Sequence, residues 1–313
     1  MGGYIRTFVL LAALTAIFGA AGYAIGGATG AIIALAVAAA MNLYAWWGSA
    51  GAVLRMHNAQ PVSEQDAPRL YAMTRRLSER AGIPMPTLYV IHEDQPNAFA
   101  TGRGPGNAAV AVNSGLIDLM TEQQVAGVVA HQLAHIKHRD TLVMSVAATL
   151  SGAIGMLAHF GGMFSMRGRD GQRGSNPIAA IAVMILGPIA AALVQMAISR
   201  AREYEADREG AEIAGDPEWL AGGLERLETY SQRAVNEGAE ANPATAHMFI
   251  VNPLSAGGLR GLFTTHPPTS ERVARLRAMR PSGGAVIDAP ATVSPWAVAR
   301  PSVAAPSRNP WRR

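Results

Sequence analysis

Two apolar runs near the start of the chain constrain its fold most. Residues 7–25 and 30–54 contain no charged residue, and each is long enough to cross a hydrocarbon core, which takes about 20 residues. The connector, Gly26 to Gly30, is also uncharged. The pair predicts a transmembrane hairpin over residues 1–55. A cleaved signal sequence is the alternative for the first run, since its Ala/Gly-rich end imitates a cleavage site. The second run follows at once, and one hairpin explains both.

Composition agrees with a lipid-facing segment. Half of the 313 residues are hydrophobic and 15% are charged, where soluble domains average about 25% charged. Tyr44, Trp46 and Trp47 stand toward the end of the second run, as aromatic residues do at a membrane–water interface. Arg6 precedes the first run, and Arg55, Arg69, Arg75, Arg76 and Arg80 follow the second. By the positive-inside rule both the N-terminus and the region after residue 55 are expected in the cytoplasm. The net charge of +4 fits contact with an anionic leaflet and gives no sign of nucleic acid. The predicted partner is the lipid bilayer.

Beyond the hairpin the periodicities predict a mostly α fold with a small β-sheet (α+β). Residues 66–81 read as an amphipathic helix closed by Gly82 and Pro84. Residues 87–91, 97–102 and 108–112 read as strands, the last two joined by the turn-rich RGPGN. Ser114 or Asn113 is a candidate cap for a short helix over 115–120. Thr121 then begins a long helix, with Gln124 three residues on in the form of a capping box. Two more apolar stretches, about 141–164 and 178–198, follow. The loop between them holds three arginines, which argues against a simple crossing pair, so spanning helices and re-entrant or bundle-buried helices both stand. A helix resumes near Ile198, stops at Gly215, and a further one runs from Pro217 to about 233. Residues 234–268 read as irregular, 271–280 as a short basic helix, and 281–313 as a disordered Pro/Ala/Ser/Gly tail. The expected units are therefore the hairpin, a domain over 56–280 interrupted by the two apolar stretches, and the tail.

The chemistry centres on HQLAH, residues 131–135. His131 and His135 lie four apart on a predicted helix, so both imidazoles leave one face, a spacing that lets two neutral imidazoles grip one Zn²⁺. A histidine pair alone is weak grounds, and the alternative is two histidines on an amphipathic helix without metal. The chain has no cysteine, which excludes disulfides, thiolate ligands and a thiol nucleophile. A third ligand must come from His, Asp or Glu. AREYEADREG, residues 201–210, offers Glu203 and Asp207, again four apart on a helix. Glu203 could complete a His₂Glu set, with Asp207 accepting from the non-ligating nitrogen of a zinc histidine, His131 by preference. The alternative is a solvated acidic face shared with Glu205, Glu209 and Glu212. His138 is two turns from His131, too far for one ion to take all three histidines readily. It is read as structural, in a charge cluster with Lys137, Arg139 and Asp140.

HQLAHIKHRDTLVM, SRAREYEAD and FTTHPPTSER, in that order and separated by two apolar stretches, closely resemble the HtpX-type membrane zinc proteases, relatives of the CAAX prenyl protease. GGATGAIIALAVAAAMNLYAWW, PNAFATG and FIVNPL fit the same family, so the resemblance covers about residues 5–280. It implies a zincin-like metalloprotease domain fused to transmembrane helices, with one Zn²⁺ held by His131, His135 and Glu203. It further implies residence in a bacterial inner membrane, a catalytic domain facing the cytoplasm, and polypeptide substrates, misfolded or membrane proteins, cut in quality control under stress. By the same resemblance the His-Pro segment nears the zinc, and His266 is a candidate donor to the oxyanion of the tetrahedral intermediate. A rigid helix-entry turn at Pro267 and Pro268 is the alternative. Asn97, Ala98, Phe99 and Ala100 resemble an edge strand beside the active helix, to which an extended substrate could add by main-chain hydrogen bonds; an ordinary strand is the alternative.

The sequence departs from the family at one position. The motif is HExxH, and residue 132 is Gln. Glutamate there accepts a proton from the attacking water and returns it to the leaving amine. Gln132 has nearly the same shape and no basic oxygen at neutral pH. The expectation is a zinc-binding chain that is inactive or nearly so, read as an engineered substitution, with a natural pseudoprotease that binds polypeptides without cleaving them as the alternative. A metal oxidoreductase of the membrane desaturase kind would need several His clusters, and the chain has one. A channel or transporter is disfavoured by apolar runs without charge.

Overall fold

The structure is a computed structural model that describes residues 2–151, 199–231, 233–255 and 266–281. The apolar stretch 178–198, most of 141–164 and the tail beyond 281 lie outside the described residues. The first helix, α1 (Gly2–Met56), breaks at Gly26 and Gly27, where Gly27 takes a φ of 59°. This break is the uncharged connector of the hairpin. The two arms approach so closely that a Cβ at Gly22 or Gly30 would collide with the carbonyl oxygen of the other, so only glycine fits there. The second arm, Gly26–Met56, is long and apolar enough to cross a membrane. The first contains a shorter apolar helix, Thr7–Ala20. Phe8, Ile32, Ile33, Leu43 and Trp47 are exposed along the hairpin, which costs nothing where the solvent is lipid.

A short strand β1 (Gln60–Pro61) leads to α2 (Pro68–Ala81). Gly82 closes α2 in the left-handed region, its N–H returning to Glu79 and Ser78. The sheet continues with β2 (Thr87–Ile91), β3 (Ala98–Gly104) and β4 (Asn107–Asn113). Its order is β1-β2-β4-β3, with β2 parallel to β4 and β3 antiparallel to it. The order leaves β3 at the outer edge. The helix α3 (Ser114–Leu119) follows without the side-chain cap expected of Asn113 or Ser114. Both side chains are used elsewhere, Asn113 donating to the Gln95 carbonyl and Ser114 to that of Glu93.

The long helix α4 (Glu122–His138) starts at a complete Thr121/Gln124 capping box and ends at Arg139 in the left-handed region. An apolar helix α5 (Asp140–Ser151) leaves from that turn. It packs Leu142, Val146 and Leu150 against Leu10 and Ala45 of the hairpin. The chain resumes in α6 (Arg200–Ala214) and α7 (Pro217–Ser231). The segment expected to be irregular contains α8 (Glu237–Ala241) and a 3₁₀ turn at Pro243–Met248. Asn236 caps α8 through the Ala239 N–H, a signal hidden by the Gly/Ala/Asn-rich composition. Last is α9 (Thr269–Arg277). The main core joins α2, one face of the sheet, α4, α6, α7 and α9 through Leu77, Val110, Leu133, Leu220 and Leu276. A second cluster, with Val53, Phe99, Met144 and Phe249, ties the end of α1 to the edge strand.

Candidate metal centre

The centre forms where α4 and α6 touch. Helical spacing puts His131 and His135 on one face of α4, and Glu203 and Asp207 on one face of α6. The two faces meet because Gly210 lies against His131: a Cβ there would stand 2.8 Å from His131 Cα and 2.9 Å from its N. His131, His135, Glu203 and Asp207 are all buried. Candidate ligand atoms of His131, His135 and Glu203 lie within 4.8 Å of one another. Glu203 Oε2 is 4.0 Å from His131 Nε2, and Oε1 is 3.6 Å from His135 Nε2.

The far side of each imidazole meets a carboxylate. His131 Nδ1 lies 3.0 Å from Asp207 Oδ1, and His135 Nδ1 lies 3.3 Å from Asp140 Oδ2. Each carboxylate is held in turn by an arginine. Arg272 donates twice to Asp207, at 2.8 and 2.6 Å, and Arg202 donates to Asp140 at 3.0 Å. These contacts favour a proton on Nδ1 and turn each Nε2 lone pair toward Glu203. Both ring nitrogens of His131 are buried; Nδ1 has only the Asp207 carboxylate at ion-pair distance, and Nε2 has no hydrogen-bond partner. A cation that accepts nitrogen and oxygen ligands, of which Zn²⁺ is the common case, fits this donor set.

The electrostatics differ between the two histidines. Burial pushes His131 down to about 4 despite Asp207, so the ring is neutral and able to bind metal at neutral pH. Burial alone would do the same to His135, but Glu203 and Asp140 raise it above the usual imidazole value. Burial would also raise Asp207, yet the adjacent Arg272 guanidinium brings it to about 2. Glu203 is carried well below the carboxylate range, its burial outweighed by His266 and His135.

Gln132 is buried, and its Nε2 donates to the Ala98 carbonyl of β3 at 3.3 Å. His266 stands 3.1 Å from Glu203 through Nδ1, and its own Nε2 is buried without a partner. His138 points away, pairing with Glu209 at 2.5 Å beside Lys137 at 2.6 Å. The cluster expected around His138 thus centres on Glu209, and Asp140 belongs to His135. Asn97, Ala98, Phe99 and Ala100 are all buried. Phe249 bridges Phe99 in antiparallel sense, and the Ile250 N–H donates to the Ala98 carbonyl at 3.1 Å. The outer edge at Ala98 and Phe99 is therefore covered by the chain itself. His247, which no motif singled out, is buried and meets the Met144 carbonyl at 3.1 Å. It lines a small cavity with His135, Asp140, Met144, Arg202 and Glu203.

A buried His₂–Glu cluster on two packed helices, beside an antiparallel edge strand, has the donor set of a metallopeptidase. Residues 64–280 match the model of peptidase family M48. The chain is 55% identical over 281 residues to a protease HtpX homolog of Methylibium petroleiphilum, a match covering 90% of this chain and 99% of the relative. It is 52% identical over 283 residues to one of Paraburkholderia phytofirmans, with the same coverage. The chain belongs to peptidase family M48, among the membrane metalloproteases of the HtpX type. A crystal structure of S. mikatae Ste24p superposes with a TM-score of 0.43 at 14% identity, over 87% of this chain and 67% of that one.

Proposed function

We propose that this chain is the zinc-binding scaffold of an inner-membrane endopeptidase that acts on misfolded and membrane polypeptides in quality control, with turnover withheld by Gln132. The carrying observation is the buried cluster itself, in which His131 Nε2 lacks any partner and faces the Glu203 carboxylate. His131, His135 and Glu203 would hold one Zn²⁺. The ion would supply a Lewis acid that polarises a scissile carbonyl and acidifies water.

The remaining roles fall to the chain's own groups. Asp207 and Asp140 orient the two imidazoles, and Arg272 and Arg202 keep both carboxylates ionised. Gln132 stands where a carboxylate would take a proton from water and return it to the leaving amine. Its amide can donate and accept hydrogen bonds, but it carries no transferable proton at neutral pH. A positioned acid–base group contributes about 10²–10⁴ in rate, so the chain binds without appreciable cutting. His266 could serve the oxyanion through Nε2. While Nδ1 donates to Glu203, that requires the imidazolium form.

The contact between Gln132 and Ala98 also supports the second reading, a natural pseudoprotease. The amide fastens α4 to the edge strand in a way a carboxylate at the same place could not. Metal analysis of the purified chain tests the site common to both readings. About one zinc per chain is expected, and His135→Ala should abolish it. Zinc content unchanged by His135→Ala would remove the assignment.

A further inference from the structure

The face of the sheet turned away from α4 is only partly covered. Val53 and Leu54, near the end of α1, pack there with Ile91, Phe99, Ala109 and Ala111. Beside that contact, small residues on the two walls, Gly51 on the helix and Ala108 on the sheet, leave a cavity of about 350 Å³, lined also by Trp47, Thr87, Tyr89 and Asn107. Protein interiors pack without voids of this size, and ligand sites begin at about 300 Å³. None of the residues that line it is acidic or basic. The hydroxyls of Thr87 and Tyr89, the Asn107 amide and the Trp47 indole supply neutral hydrogen-bonding groups.

The helix sets the depth of this groove in a bilayer. The second arm, Gly26–Met56, has 31 residues, about 46 Å of helix at 1.5 Å each, where the hydrocarbon core takes about 30 Å. Counted from the break at Gly27, about 20 residues cross that core. Trp47 then stands at its far boundary, and Gly51 to Met56 pass through the headgroup layer. Trp47 is 61% exposed and Tyr44 54%, as suits aromatic residues at that boundary. Two arginines stand at the rim of the groove. Arg55 reaches back along the arm, its Nη1 3.3 Å from where a Cβ on Gly51 would stand, and its Nη2 donates to the Tyr44 hydroxyl at 3.4 Å. Arg103 donates through Nε to the Asn107 side chain at 3.4 Å. Among the described residues neither guanidinium is paired with a carboxylate.

We propose that this groove holds the headgroup of one anionic phospholipid from the leaflet on which the sheet rests, with Arg55 and Arg103 on the phosphate and Thr87, Tyr89 and Asn107 around the glycerol. The acyl chains would follow the exposed apolar flank of the arm at Leu43 and Trp47. The inference stands on the arm as a membrane span and is independent of the protease reading. A groove without acidic groups offers a cation no partner. A zwitterionic headgroup would bring its own ammonium toward the two guanidiniums, and like charges repel; an anionic one brings only the phosphate. The lipid would fasten the sheet to the bilayer close to the metal site. Gly102 also lines the groove, and its carbonyl accepts from the Thr141 hydroxyl at 3.1 Å, one residue past the Asp140 that meets His135.

The test uses the full chain in detergent with one thiol introduced by Ala108→Cys, the native sequence having none. Phosphatidylglycerol added to the micelles should slow maleimide labelling of that thiol at least tenfold, and phosphatidylcholine should leave it unchanged. Adding Arg55→Gln and Arg103→Gln should abolish the protection. A thiol placed instead by Gln65→Cys, at an exposed position outside the groove, should react at one rate throughout. No protection by phosphatidylglycerol, equal protection by the two lipids, or protection that survives the loss of both arginines overturns the proposal. Should Ala108→Cys fail to fold, native mass spectrometry counts the lipid retained by the parent chain and by its Arg55→Gln, Arg103→Gln variant. One phosphatidylglycerol kept by the parent and lost from the variant supports the site. Retention that is equal for the two lipids, or unchanged in the variant, overturns it.

Discussion

Gln132 differs from glutamate only in carrying NH₂ in place of a carboxylate oxygen, and that NH₂ is what the structure uses, donating to Ala98 at 3.3 Å. In the metal-free protein, Gln132→Glu sets a carboxylate against a carbonyl. A buried partner left unsatisfied costs about 1–3 kcal/mol, so metal-free Gln132→Glu should unfold at lower denaturant than the parent at pH 7, and the gap should narrow below pH 5 as the carboxyl becomes a donor. Equal midpoints at pH 7 would show that the amide contact contributes nothing. His57 and His247 give a second pH effect. Burial brings each to about 4 from an unfolded value near 6.5, so the unfolded chain binds more protons between those values. Stability should be constant above about pH 6.5 and fall as pH drops to 4, by up to about 3 kcal/mol per histidine. His247→Gln should flatten part of that slope in denaturation curves taken across the window. That His131 and His135 share one face, and Glu203 and Asp207 another, was legible in their helical spacing; that the two faces meet was not. Nor were Asp140 and Arg202 legible, because their meeting depends on the left-handed turn at Arg139 and on the approach of a helix some sixty positions away in sequence.

The elements with strong local signals are those the sequence announced: α2 through Gly82, α4 through its capping box, α6 through Gly215, and the β3–β4 hairpin through RGPGN. The covering of the β3 edge by Phe249 and Ile250 was hidden. FIVNPL carries no periodicity, and its place is set by three partners remote from one another: Arg272 donating to the Ile250 carbonyl, Asn97 donating to that of Val251, and the His57 ring against Phe249. The role of Gly210 was also invisible in sequence, since nothing in AREYEADREG says which residue faces a neighbouring backbone. Gly210→Ala should force α6 away from α4 at His131. Zinc affinity is expected to fall at least tenfold, with a stability loss of about 1–3 kcal/mol typical of overpacking. Competition with a zinc-binding dye measures the first and denaturant titration the second. Unchanged zinc affinity would mean that the helices tolerate the extra methyl and that their contact does not set the ligand geometry.

At the scale of the molecule, the hairpin, the edge strand and the metal site form one connected structure, α5 packing on the hairpin and His57 joining its end to the edge strand. The sheet and the metal domain should lie on the same side of the membrane as the N-terminus, because an uncharged connector joins two apolar arms. The absence of native cysteine makes the check direct. A thiol placed at the exposed Gln65 should resist impermeant maleimide in intact cells and react once the membrane is opened; labelling in intact cells would reverse the orientation. Whether Gln132 alone withholds turnover is measured by zinc-dependent proteolysis by the Gln132→Glu chain, folded and zinc-loaded in detergent or bilayer. The Gln132→Glu chain should cleave unfolded polypeptide at least a hundredfold faster than the Gln132 parent, with nearly equal substrate affinity and complete loss of activity on chelation. Equal zinc content in the two chains with no gain in cleavage would contradict it and leave a zinc-holding polypeptide binder in its place.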